Sequence, residues 1–91
     1  MHKTQEQLLN ELKRLNKKIK VGDKFYHFKY PDQFYTIVAV GFIESTEEPC
    51  ITYQAEYGDK ITWVRTENEF FAKVTLEDGT IVDRFSKILS A

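Results

Sequence analysis

The spacing of apolar residues changes once along the chain, near Gly22. Before it, Leu9, Leu12, Leu15 and Ile19 follow Leu8 at offsets of one, four, seven and eleven, which lays them along one stripe of an α-helix. Lys13, Arg14, Lys17 and Lys18 fall beside or opposite that stripe, so the predicted helix is amphipathic. Thr4 and Gln7 have the spacing of a capping box, in which each side chain satisfies a backbone donor that a helix start leaves free. Gly22, which tolerates a positive φ, marks where the helix should have stopped. A stripe of about two heptads reads as a core face rather than a coiled coil.

Beyond Gly22 the period shortens to two, and aromatic and β-branched residues take over, which favours strands. Lys24 to Tyr30 is predicted as a first strand, ended by Pro31 and Asp32. Phe34 to Ile43 is a second, with Phe34, Val38, Val40 and Phe42 on one face and Tyr35, Ile37, Ala39 and Ile43 on the other. A strand apolar on both faces needs cover on both, for which a barrel interior and the packed N-terminal helix are the expected partners. Cys50 to Tyr57 alternates cleanly, and Gly58-Asp59 turns it back into Ile61 to Arg65. Thr66 to Glu69 has the pattern of a short capped helical turn. Asp78-Gly79 is a hairpin signal between Ala72-Val74-Leu76 and Ile81-Val82. The predicted fold is mainly β: a small antiparallel SH3-like barrel of about five or six strands with one N-terminal amphipathic α-helix. Residues 1–21 form the helical extension and residues 22–91 the barrel domain.

Composition narrows the class. At 91 residues with 42% hydrophobic side chains, the chain fits one globular domain, neither a multidomain enzyme nor a disordered segment. The single cysteine excludes an internal disulfide framework, and no apolar run approaches the roughly 18 residues of a membrane span. Residues Met1 to Glu6 lack the apolar run of a secretion signal, so a cytoplasmic location is expected. The net charge of −1 hides an asymmetry: the first 29 residues carry +5 and the remaining 62 carry −6. A basic head suits nucleic acid, or it docks on its own acidic body; the second is favoured, because that body would repel a polyanion.

Little catalytic chemistry is visible. Cys50, His2 and His27 are the whole supply of nitrogen and sulfur metal ligands, too few and too scattered for a zinc site, and no cofactor motif is present. Cys50 reads as a small packing residue of a strand. An enzymatic reading would need His27 as general base with Glu44 or Arg65 beside it, and nothing in the spacing brings them together. What stands out is the aromatic set, which includes Tyr26, Tyr57 and Trp63. Arg65, two residues after Trp63, shares its strand face, and a guanidinium beside an indole gives a stacking surface with an anion-binding fork. The structural alternative is that Arg65 and Arg84 only pair with nearby carboxylates.

The segments Gly22 to Lys29, Tyr35 to Val40, Tyr53 to Asp59, Trp63-Val64-Arg65 and Arg84-Phe85 resemble, in that order, a short bacterial family catalogued as domain of unknown function 1653. The resemblance runs from about Ile19 to Ile88. It implies a small β-rich, barrel-like domain and carries no reaction, substrate or cofactor. Tyr26, His27 and Lys29 match the family's first motif, in which Phe28 stands where a second tyrosine is usual, and Thr66 stands where proline tends to follow Arg65. The polar matches His27, Lys29, Glu44, Arg65 and Arg84, with the aromatic Tyr26, Tyr57 and Trp63, form the candidate ligand-binding set. The expected function is a non-enzymatic binding module whose aromatic and cationic groove takes a peptide, a nucleotide or single-stranded nucleic acid. The alternatives are nucleic-acid binding through the basic helix and a structural or self-associating domain, a monomer or weak homodimer through the helix, with no membrane partner.

Overall fold

The computed structural model describes residues 2–89. Helix α1 (Gln5–Leu15) opens on the expected capping box: Gln7 N–H donates to Thr4 Oγ1 at 3.1 Å, and Thr4 N–H to Gln7 Oε1 at 2.8 Å. It ends earlier than the apolar stripe implies, at Asn16, and the chain turns so that Ile19 N–H donates to the Leu15 carbonyl at 3.1 Å. Leu15 and Ile19 are both fully buried, so the stripe delivers its last two members to the core although only one is helical.

Seven strands follow among the described residues: β1 (Lys24–His27), β2 (Tyr30–Phe42), β3 (Pro49–Ala55), β4 (Thr62–Thr66), β5 (Lys73–Thr75), β6 (Ile81–Asp83) and β7 (Phe85–Lys87), with a short helix α2 (Glu67–Phe70) after β4. Five of them form one antiparallel sheet in the order β4-β3-β2-β1-β7, and β5 pairs with β6 apart from it. The expected closed barrel is not formed, since β4 and β7 are edges without hydrogen bonds between them. The sheet is nonetheless strongly curved. Arg65 of β4 lies 5.8 Å from the ring centre of Phe85 of β7, so the two edges face each other across a seam of side chains.

Two strand expectations are corrected. The first strand does not run to Tyr30: Phe28 and Lys29 form a tight turn between the partners His27 and Tyr30. Pro31 does not end a strand, but lies in an irregularity of β2 where Pro31, Asp32 and Gln33 have no partner in β1, a place where a missing N–H costs nothing. Nor is β2 covered on both faces. Its register against β3 skips Val38, and that bulge exchanges the two faces, so Tyr35 and Ile37 point inward before it and Val40 after it. Phe34 and Val38 are left 42% and 46% exposed on the outer face.

Within the curve, Phe25, Ile37, Ile51, Tyr53, Phe70 and Phe85 join Leu15 and Ile19 in one core cluster. The rings of Phe70 and Phe85 stack 4.4 Å apart and 3° from parallel, with Phe25 and Tyr53 edge-on to Phe70 at 5.1 and 5.4 Å. Phe70 reaches this position because Thr66 caps α2, its hydroxyl accepting from Glu69 N–H at 3.2 Å. The turn between β5 and β6 is the expected Asp-Gly hairpin, with Gly79 at φ +88° and Asp78 Oδ1 accepting from Thr80 N–H at 2.9 Å.

The basic head does dock on the acidic body. Arg14 makes a two-pronged pair with Glu67, both contacts at 2.8 Å, and Lys18 Nζ joins the same carboxylate at 2.9 Å. Arg14 first, and Lys18 after it, hold the Glu67 carboxyl at about 2, far below the usual carboxylate range. Among the described residues no helix is long and apolar enough to cross a membrane.

Candidate functional site

Strand alternation places the odd-numbered residues of β3 and β4 on the concave face, where Tyr53 lies opposite Trp63 and Ile51 opposite Arg65. Ile51 is core, but at the next pair only Tyr53 is buried, against Phe70 of α2, while Trp63 opposite it is half-exposed. There an open cavity of about 450 Å³ is lined by His27, Tyr30, Tyr35, Tyr53, Tyr57, Trp63, Val64, Arg65, Glu69 and Phe85. Its floor is aromatic: Tyr35, Tyr53 and Phe85 meet edge to face at 5.3 to 5.8 Å. Trp63 stands at the rim, 50% exposed.

The polar groups are few and fixed. Arg65 Nε donates to the Tyr53 hydroxyl at 3.0 Å, which anchors the guanidinium and leaves both terminal nitrogens for other partners. The hydroxyls of Tyr35 and Tyr57 lie 2.6 Å apart. Burial pushes the Tyr35 and Tyr53 hydroxyls up in pKa, outweighing the opposing pull of Arg65 on both, so each stays protonated at neutral pH. His27 is pushed down, first by burial and then by Arg65, Arg84 and Lys29, so its ring is neutral. Its Nδ1 accepts from Lys29 N–H at 3.2 Å, which leaves Nε2 to carry the proton. The edge of the ring packs on Phe85 at 5.1 Å. The cavity thus offers hydrogen-bond donors, one fixed positive charge and broad aromatic faces, with Glu69 as the carboxylate in its lining.

Four of the eight sequence-predicted residues, His27, Tyr57, Trp63 and Arg65, come together in this lining. The other four do not line it. Tyr26 is one residue out of phase with Phe25 and His27 and so faces away from the concave side. Lys29 is exposed in the turn after β1, and Arg84, which bonds through its backbone to Ala72 and Phe28, reaches the site only through its charge on His27 and Tyr53. Glu44 is exposed past the far end of β2, on the order of 25 Å along the strand from Tyr35. It therefore does not stand beside His27. Sequence reasoning missed Tyr30, Tyr35 and Tyr53 as site residues; the signal for the last two is that Tyr35 shares its strand face with Ile37, and Tyr53 with Ile51, so both sit where the core runs out. The pairing alternative for the arginines is absent from the structure: among the described residues neither Arg65 nor Arg84 has a carboxylate within ion-pair distance.

Cys50 is free and buried at the start of β3, and burial raises its thiol pKa, so it is protonated and packed. Among the described residues no three His, Cys, Asp or Glu side chains gather to hold a metal ion. Comparison with curated proteins and with solved structures finds no match. Residues 23–87, which run from the residue before β1 to the end of β7 and contain every residue lining the cavity, match the family described as protein of unknown function (DUF1653), and the chain belongs to that family.

Proposed function

We propose that the protein is a non-enzymatic binding module whose ligand lies in the aromatic cavity at the mouth of the open sheet, in an SH3-like arrangement opened between β4 and β7. One observation carries the reading: Arg65 is anchored through Nε, has no carboxylate partner among the described residues, and stands two residues from a half-exposed tryptophan. An extended or anionic ligand satisfies both, with its charge on the guanidinium and an apolar group on the indole. The reading is supported further by the neutral His27 and protonated tyrosines, which offer donors without competing charge.

The test uses the single tryptophan. Short peptides, mononucleotides and an RNA pool are titrated into the protein while Trp63 fluorescence is followed. A saturable change with at least one of these, weakened tenfold or more in Arg65→Ala, is expected; a Trp63 signal indifferent to all of them overturns the reading. Nucleic-acid binding through α1 is the less supported alternative, because Arg14 and Lys18 are already committed to Glu67.

A further inference from the structure

The cavity ends on a strand edge. In an antiparallel ladder, successive residues turn their backbone groups alternately toward the partner strand and away from it. Ala55 N–H donates to the Ile61 carbonyl at 2.9 Å, whereas Glu56 N–H donates to the Phe34 carbonyl of β2 at 2.8 Å. Odd-numbered residues of β3 therefore bond toward β4, and even-numbered ones toward β2. In β4 the same phase turns Trp63 and Arg65 toward β3, and leaves the N–H and C=O of Thr62 and Val64 pointing outward, on the side where no strand pairs with β4 among the described residues. Thr66 ends this free edge, because it is the cap of α2.

Exposed edges of soluble proteins are normally short, bulged or guarded by charge. This one carries Trp63 and Val64 at 50% and 57% exposure, with Ile61 just before it at 53%. Val64, of opposite parity to Trp63 and Arg65, lines the same cavity, so the cavity reaches the edge of the strand as well as its concave face.

We propose that β4 takes an extended acidic peptide as an added strand, its backbone bonding to Thr62 and Val64 and a carboxylate side chain of the peptide meeting Arg65. This rests on the reading of the cavity given above and names its ligand class. Charge selects the occupant. Arg65, Arg84 and Lys29 all act on His27 as positive charges, against Glu69 as the lining carboxylate, so an acidic strand is complementary to the site. A second copy of the chain paired edge to edge through β4 would instead bring the same Arg65, Arg84 and Lys29 charges together and supply no added carboxylate beyond a second Glu69. Trp63 and Arg65, being two residues apart, sit roughly 6.6 Å from each other along the strand. A peptide with a glutamate two positions from an aromatic residue places one beside each.

The probe is an N-acetylated, C-amidated heptapeptide with that spacing, titrated into the full chain. The readouts are Trp63 fluorescence and hydrogen exchange at the Thr62 and Val64 amides, which are unprotected on a free edge. Expected are a saturable fluorescence change, at least tenfold slower exchange at both amides, and a tenfold or greater loss of affinity when the peptide is N-methylated on its edge-facing amides. Replacing the peptide's glutamate by glutamine should weaken binding to the native chain but not to Arg65→Gln. The N-methylated peptide leaves the protein unchanged, so that comparison does not depend on how the variant folds.

Peptide binding with the two amides still exchanging freely, or indifferent to N-methylation, overturns strand addition. A Trp63 response to mononucleotide or RNA with none to the peptide overturns the peptide while the cavity reading stands; silence to all of them overturns both. Protection of Thr62 and Val64 without peptide, rising with protein concentration alongside light scattering, overturns the proposal in favour of a second copy.

Discussion

Glu67 shows how a single side chain can couple two parts of the chain. It is the buried carboxylate of α2, and its two oxygens are shared by Arg14 and Lys18 from the N-terminal segment. Its folded pKa of about 2 lies below the ordinary glutamate value of 4.5, so the folded state binds its proton less readily than the unfolded one. The stabilisation is therefore fully present above about pH 4.5 and is lost as pH falls toward 2. Both cationic partners are about half exposed, which screens the pair and limits its worth to about 1–2 kcal/mol. Glu67→Gln should lower stability by about that amount at pH 7 and flatten the acid limb between pH 4.5 and 2 in urea titrations. An acid limb unchanged by the substitution would show that the pair contributes nothing. The sequence supports the sign of this interaction, a basic head on an acidic body, but does not single out Glu67. Ten other Asp and Glu residues lie in the same acidic segment, and this one is set apart by its place as the first residue of α2, just after the Thr66 cap.

At the scale of elements, the features legible in advance are those a few neighbouring residues determine. The capping box at Thr4, the cap at Thr66 and the Asp78-Gly79 hairpin all depend on contacts within four residues, and all are present. Strand ends and facing depend on distant partners. The Val38 bulge exists because β2 must keep register with β3, and it moves Val40 into the face that strict alternation gave to Tyr35 and Ile37. No local signal distinguishes Val38 from its equally apolar neighbours. The same applies to Phe28 and Lys29, whose turn is fixed partly by Phe28 N–H donating to the Arg84 carbonyl at 3.0 Å. The site inherits this division: Trp63 and Arg65 share a face by simple parity, whereas the contribution of Tyr30 depends on that turn. The cap at Thr4 gives a measurement at this scale. Thr4→Ala removes the acceptor for Gln7 N–H and should destabilise the protein by about 1 kcal/mol, seen as a drop of about 4–8 °C in Tm. No change in Tm would mean that α1 adds nothing to the global transition.

For the whole molecule, the question is what the N-terminal segment is to the rest. Residues 23–87 match the family, and α1 precedes them. Yet Leu15 and Ile19 are as deeply buried as Ile37, Ile51 or Phe70, and belong to the same cluster. An open sheet needs such cover. A closed barrel buries its interior by itself, whereas a sheet whose edges are not hydrogen-bonded to each other and approach through side chains such as Arg65 and Phe85 requires something packed against its concave side. α2 supplies Phe70, and the N-terminal segment supplies Leu15 and Ile19. The same arrangement leaves the other end of the concave face uncovered, where the cavity lies, so the cover and the opening are two results of one incomplete closure. Leu15→Ala should therefore cost about 3 kcal/mol, a large share of the 5–15 kcal/mol that usually separates folded from unfolded domains. Removing residues 1–20 deletes both buried side chains and the two cationic partners of Glu67 together. The shortened chain should lose its cooperative thermal transition by circular dichroism and bind a hydrophobic dye through the exposed core. A sharp transition within a few degrees of the full chain's would show instead that the segment matching the family holds its own core, and that α1 is an addition to it.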